Sequence, residues 1–328
     1  MGNPLVSVVL PFYNAPYLEE AIQSILNQTY EHFELILVNN ASTDDSVKVA
    51  KRYASDPRIT LIDQPRKGVV FAANGGIEAA RGAYIARMDS DDISHPQRLE
   101  LQTNLLLEDS TLGVVSGLIE YLGPTENGGF IHYVDWLNSI ITEEQISLNR
   151  FVEFPIANPT LMVRRELFDQ YGIYKDGDFP EDYELFLRFQ SNNVKMKKID
   201  KSILTWRDTE SRLTRTDNRY AQESFFKVKA KYLAQWLKTN NPFHPKIYIW
   251  GAGRVSRRRS DLLINEGIAV VNYIDVKSGK QTLHYDNLPD KESAFIVSYV
   301  SNRGIREEIR SYLIQNGYIE GVNFILAA

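Results

Sequence analysis

Cysteine is absent from the 328-residue sequence. That absence excludes disulfides and thiolate zinc sites, and it removes any need for an oxidising compartment during folding. A cytoplasmic location is therefore expected. Long apolar runs are missing as well. The most apolar, Val6 to Leu10 and Leu35 to Val38, have the length of strands and fall far short of the roughly 20 residues that span a bilayer. Met1 to Leu5 offers no basic segment leading into an apolar stretch, so no export is expected. Membrane contact, where it occurs, is expected to be peripheral and at the inner face. Nor is positive charge in excess. With 37 Lys and Arg against 42 Asp and Glu, the formal net charge of −5 gives little non-specific attraction for nucleic acid, which is not an expected partner.

What is present is a βα alternation. Val6 to Leu10 reads as a strand stopped by Pro11. Leu18, Ala21, Ile22, Ile25 and Leu26 then recur at helical spacing, and Leu35 to Val38 gives a second strand. Ser42 to Asp45 supply capping oxygens for a helix to about Tyr53, Ile59 to Ile62 is a third strand, and a helix from about Val69 to Ala80 ends near Gly82. Ala83 to Met88 forms a fourth strand that runs into Asp89. From Tyr121 to Arg150 the pattern is irregular and reads as an insertion or acceptor-side loop. A helix begins near Asp182, and Asp217 to Lys238 has the form of a long connecting helix. The chain is too long for one ordinary core. It divides into a domain over 1–216, a helical linker over 217–243 and a small domain over 244–328.

In open α/β sheets, ligands bind outside the carboxyl ends of the strands. That rule selects Pro11 to Pro16, Asn39 to Asp44 and Asp89 to Asp92, which hold almost all the unusual polar chemistry of the first hundred residues. Asp89, Asp91 and Asp92 together at the end of a buried strand repel one another unless a cation or solvent offsets them. A hard cation such as Mg²⁺ takes one or two carboxylates plus phosphate oxygens and water, and an acidic turn capping the next helix is the plainer alternative. Glu181-Asp182 is a second acidic pair. One of the two could serve as a general base, or both could be acids stabilised at a helix amino terminus. Asn39 and Asn40 suit either base recognition or simple turn chemistry. His95 and His132 have no partners at metal spacing and are assigned no role.

Val6-Ser7-Val8-Val9-Leu10-Pro11-Phe12-Tyr13-Asn14 resembles the opening strand of the family-2 glycosyltransferases of GT-A fold. Asn27 to Tyr30, Phe33 to Val38, Asn39 to Asp44, Gly68 to Asn74, Asp89 to Asp92 and Glu181 to Leu185 follow as similar landmarks in the same order, over roughly Pro4 to Thr216. The resemblance implies a GT-A type mixed, mainly parallel sheet flanked by helices. It implies inverting transfer of a sugar from a nucleotide-sugar donor, UDP-sugar favoured, to a carbohydrate or lipid-linked saccharide hydroxyl, in surface polysaccharide, O-antigen or glycoconjugate synthesis. It implies Mg²⁺ or Mn²⁺ on Asp91 and Asp89, with Asp182 as catalytic base and Glu181 beside it. Donor contacts are implied for Pro11, Tyr13, Asn14, Asn39, Asn40, Arg66, Lys67, Asn74, Asp89, Ser90 and Arg207, with Ser211 and Arg212 in the loop after the base helix. The family commonly has Asp-Asp-Gly-Ser where this chain has Asn39-Asn40-Ala41-Ser42, which loosens the expectation of uracil. The alternative is a non-catalytic nucleotide-sugar-binding or scaffold protein that works through its carboxyl-terminal part.

Lys246 to Trp250, followed by Gly251-Ala252-Gly253, reads as the strand and glycine turn of a Rossmann-like unit, with Asp275 ending the next strand. Ser256 stands where a third glycine would be expected. A small α/β domain follows, with a helix from Arg303 to Gln315. Its default role is structural or homo-oligomerising.

Overall fold

The computed structural model describes residues 2–328 except Thr125, Asn127, Glu210 and Ser211. The chain divides into two compact units. One comprises Met1–Ile146, Pro155–Gly177 and Glu184–Asp217, and the other comprises Ser147–Phe154, Asp178–Tyr183 and Asn218–Ala328. The division does not follow chain order, because two short segments from within the first 216 residues count with the second unit. The helix expected as a linker counts with it too.

In chain order the elements are β1 (Val6–Phe12), α1 (Leu18–Leu26), β2 (Phe33–Asn39), α2 (Ser46–Arg52), β3 (Ile59–Asp63), α3 (Val69–Ala79), β4 (Tyr84–Arg87) and β5 (Ile93–Ser94). Next come α4 (Arg98–Glu108), β6 (Leu112–Leu122), α5 (Gly128–Ser139), α6 (Glu143–Asn149), β7 (Met162–Arg164), α7 (Arg165–Tyr171), α8 (Glu181–Ser191), β8 (Lys195–Arg207) and α9 (Leu213–Thr216). The remainder is α10 (Gln222–Asn240), β9 (Lys246–Trp250), α11 (Arg254–Asn265), β10 (Ala269–Asp275), β11 (Thr282–His284), β12 (Ile296–Ser298), α12 (Arg303–Gln315) and β13 (Phe324–Leu326).

The first unit is built on one sheet in the order β3-β2-β1-β4-β7-β6-β8-β5. Strands β1 to β4 are parallel, and β7 runs against both of its neighbours. The sheet is mixed, mainly parallel and flanked by helices, as expected. All seven residues of β1 and of β2 are buried, which is why these strands read as continuous rather than alternating apolar runs. Helix α3 lies close against β1. A Cβ added at Gly76 would stand 2.3 Å from Val9 Cγ1, so only glycine permits that approach. Beneath the strand ends, Ser7 Oγ donates to Glu34 Oε1 at 2.6 Å and accepts from Gly82 N at 2.8 Å, while Arg81 clamps the other oxygen of Glu34. This network, buried at Ser7 and Glu34, ties β1, β2 and the turn before β4 together.

The stretch expected to be irregular, Tyr121 to Arg150, instead holds α5 and α6. Gly128-Gly129 at its start and the mixed aromatic residues after it conceal the helix. Only Val134 and Leu137 of α5 are buried, so no apolar stripe marks its period.

Lys198 on β8 is 1% exposed, and its Nζ donates to Leu137 O at 2.5 Å. Burial lowers its amine to about 7. An unfolded lysine titrates near about 10.4. Between these values the unfolded chain carries a proton that the folded chain has lost, so this group makes stability rise with pH across that window and imposes its full penalty below about 7. Lys198→Met should therefore remove a positive slope from the urea midpoint between pH 7 and 9.5. It should also raise the urea midpoint at pH 6, since a buried charge without an ion-pair partner among the described residues gives way to a packed apolar side chain. Parallel midpoint curves for the two proteins would exclude this account.

The second unit has a five-stranded sheet, all parallel, in the order β11-β10-β9-β12-β13. The order reverses beside β9, where a doubly wound sheet presents its crevice. Among the described residues no helix is long and apolar enough to cross a membrane.

Candidate active site

Strands β1, β2, β3 and β4 end together, and their loops carry the polar groups singled out above. Phe12, Asn39 and Asp63 are register partners at the ends of β1, β2 and β3, and Met88 N donates to Val9 O as β4 leaves the sheet. Asp89, Ser90 and Asp91 are half-buried and Asp92 is 1% exposed.

The three carboxylates have different partners. Asp89 pairs with the buried Arg87 at 2.6 Å. Asp92 Oδ1 accepts from Arg207 N at 2.9 Å, but its Oδ2 is buried without a hydrogen-bond partner. Among the described residues neither Asp91 nor Asp92 makes an ion pair. Burial, and then the charge of Asp89, push the Asp91 carboxyl up to about 6. Burial, and then Asp91 and Asp89, push Asp92 well above the carboxylate range. Arg98 lies beneath them, 0% exposed, donating to Arg87 O at 2.6 Å, and burial lowers its guanidinium to about 10. It is still charged at neutral pH. Arg207 caps the loop: Nε donates to Asp91 O at 2.9 Å, Nη2 to Glu20 at 2.7 Å, and the guanidinium stacks 4.0 Å from the Tyr17 ring. Arg212 stacks on Trp206 at 3.9 Å with Nη1 buried and unpartnered. Ser211 lies outside the described residues.

Several expected donor contacts are already engaged by the chain. Asn39 Oδ1 accepts from Ser42 N at 3.0 Å and its Nδ2 donates to Asp63 Oδ1 at 2.7 Å. Asn40 donates to Gln64 O and Arg66 O and accepts from Gly68 N. Turn chemistry accounts for both amides. Asn74 exchanges both of its hydrogen bonds with the backbone of Tyr174, and Asn14, at φ 46°, bonds in both directions with Thr43. These four side chains shape the loops. Pro11 is buried and Tyr13 is 48% exposed, its ring 4.9 Å from Lys67 Nζ. Arg66 stacks on Phe71 at 3.5 Å and reaches Asp176 at 3.6 Å.

Among the described residues no three His, Asp or Glu side chains are gathered to hold a metal unaided. A cation bound jointly by protein and diphosphate needs fewer. One or two carboxylates suffice, and Asp91 with the orphaned Asp92 oxygen nearby fits that donor set.

In the second unit, Glu181 is 3% exposed and lies 2.8 Å, through both carboxylate oxygens, from the Tyr220 hydroxyl. Asp182 is half-buried, with Oδ1 accepting from Tyr183 N at 2.7 Å. Farther along, Gly251 takes φ +108°, a value that favours glycine, and Ala252 N donates to Asp275 Oδ2 at 2.6 Å. The acid that a dinucleotide site would offer to a ribose is thus bonded to the glycine turn.

Arg87 and Arg98 belong to the site without any signal in the sequence. Both are buried arginines committed to groups at the end of β4, and nothing in a sequence marks an arginine as buried.

Residues 7–172 match the family described as Glycosyl transferase family 2. The uncharacterized glycosyltransferase EpsJ of Bacillus subtilis is 32% identical over 219 residues, covering 64% of this chain and 63% of its own length. The O-antigen biosynthesis glycosyltransferase WbnJ of Escherichia coli is 31% identical over 210 residues, 62% of this chain and 79% of its own. The chain thus spans under two thirds of EpsJ. Among solved structures, S. aureus TarS 1–349 in complex with UDP-GlcNAc superposes with a TM-score of 0.58 at 18% identity, covering 79% of this chain and 70% of that one. Mannosyltransferase PcManGT from Pyrobaculum calidifontis, in complex with GDP-Man and Mn²⁺, does so with a TM-score of 0.51 at 18% identity, covering 81% and 69%.

Proposed function

Because the chain belongs to glycosyl transferase family 2, we propose that it is an inverting, metal-dependent glycosyltransferase that moves a sugar from a nucleoside-diphosphate donor to a hydroxyl acceptor. WbnJ is named for O-antigen biosynthesis, which supports a saccharide acceptor on the route to a surface polysaccharide. TarS and PcManGT carry UDP-GlcNAc and GDP-Man, which supports a nucleotide-sugar donor.

One observation carries the reading. Asp91 and Asp92 are held at a strand end with raised carboxyls, no ion pair and an orphaned buried oxygen. Such an arrangement is costly to the empty protein and useful to a bound cation. Asp91 would hold the cation, with Asp89 kept by Arg87 in an orientation suited to the ribose or base. When bound, Mg²⁺ or Mn²⁺ supplies positive charge to offset what develops on the departing diphosphate. The protein's own groups do the rest. Arg212, its Nη1 unpartnered, is suited to meet a phosphate oxygen, and Arg207 keeps the acidic loop against the end of β8. Asp182 accepts the proton of the acceptor hydroxyl as that oxygen attacks the anomeric carbon from the face opposite the diphosphate.

Calorimetry tests the donor half. Purified protein should bind UDP, GDP or dTDP markedly more tightly with Mn²⁺ than with EDTA, by about 10-fold or more. Equal affinity in both conditions would remove the cation from the reading.

A further inference from the structure

Uracil, thymine and guanine each carry a ring N–H on their pairing edge, and reading it takes a hydrogen-bond acceptor. The end of β2 offers none to spare. Ser42 N needs an acceptor, so it fixes Oδ1 of Asn39 toward itself and turns Nδ2 toward Asp63 at 2.7 Å. All three side-chain hydrogen bonds of Asn40 go to backbone groups between Gln64 and Gly68. The carboxylate that remains at this level of the sheet is on the next strand. Asp63 is exposed, and it is the register partner of Asn39, which in turn partners Phe12. It lies two strand spacings, about 10 Å, from the Pro11–Tyr13 loop.

We propose that Asp63 reads the nucleobase of the donor, as an acceptor displaced from β2 to β3 and held in place by the amide of Asn39. The inference rests on the nucleotide-sugar reading above. Asp63 Oδ1 is engaged by Asn39, while among the described residues Oδ2 makes no hydrogen bond and no ion pair. The two nearest cations in sequence are engaged elsewhere, Arg66 on Phe71 and Asp176 and Lys67 on Tyr13. An ionised carboxylate only accepts. It therefore favours bases with a ring N–H, and it repels the lone pair that cytosine and adenine present at the same position. The donor class is a uridine, thymidine or guanosine diphosphate sugar rather than a cytidine or adenosine one.

The readout is the ratio of UDP to CDP affinity, measured by calorimetry with Mn²⁺. Wild type should prefer UDP by 10-fold or more. In Asp63→Asn the new side-chain oxygen still accepts from Asn39, which keeps the loop, but an N–H now faces the base. The preference should fall by roughly 10- to 100-fold, the range of one hydrogen bond to a charged group. CDP should bind more tightly than it does to wild type. Asp63→Ala should weaken UDP alone. Equal weakening of both nucleotides, as a purely structural Asp63 would give, overturns the proposal, and so does an unchanged ratio. If wild type bound no nucleoside diphosphate, the donor reading would fall and this inference with it. If wild type binds UDP but its preference ignores Asp63, this inference alone fails.

Discussion

Asp91→Ala should abolish metal-dependent nucleoside-diphosphate binding and lower the rate of sugar transfer by about 10³-fold or more. A cation at a developing phosphate charge is worth several kcal/mol of transition-state stabilisation, and each 1.36 kcal/mol is tenfold in rate. The same substitution should leave the cation-free protein more stable than wild type, because it removes a carboxyl that burial and Asp89 have raised to about 6 and that no cationic side chain pairs with. The two effects have opposite signs. A residue that merely caps α4 would lose stability on substitution and would leave the difference between Mn²⁺ and EDTA intact. Thermal midpoints in EDTA, read beside affinities in Mn²⁺, separate the cases. A lower midpoint in EDTA, or binding that still responds to Mn²⁺, would take Asp91 off the metal.

How much of this could be read from the sequence depended on whether the cause was local. Strands β1, β2 and β4 were legible because buried parallel strands are continuous apolar runs, and α1 because its apolar residues fall at helical spacing. Helix α12 was legible to the residue, Arg303–Gln315, because its cap is local: the Asn302 side chain accepts from Ile305 N. Strand β8 was not. Four of its thirteen residues are lysines, and one of them, Lys198, is buried and bonded to Leu137, 61 residues away. The acidic loop was legible as a motif, since three aspartates at a strand end are unusual in any context. Its electrostatics were not. The backbone N–H that Asp92 accepts from belongs to Arg207, 115 positions away in the chain. Likewise, which way the Asn39 amide faces depends on Ser42 N and Asp63, so base recognition and turn chemistry could not be separated from residue types alone.

The choice between Glu181 and Asp182 leads to the second large expected effect. Both open α8, where the helix dipole favours an ionised carboxylate, so helix position does not distinguish them. Their surroundings do. Glu181 is 3% exposed, with both oxygens 2.8 Å from the Tyr220 hydroxyl, whereas Asp182 is half-buried. A base must reach the acceptor hydroxyl, and a buried carboxylate spent on a tyrosine does not. Asp182→Asn keeps the shape and the capping oxygen for Tyr183 N but cannot take a proton. It should leave UDP or GDP affinity within about twofold of wild type and lower kcat by about 10²- to 10⁴-fold, the usual worth of a positioned base. Glu181→Gln should instead disturb the contact with Tyr220 and lower the thermal midpoint, with a smaller loss of transfer. If Asp182→Asn retains transfer while Glu181→Gln abolishes it at unchanged stability, the two roles are exchanged. If neither substitution lowers kcat, the base lies elsewhere in the chain.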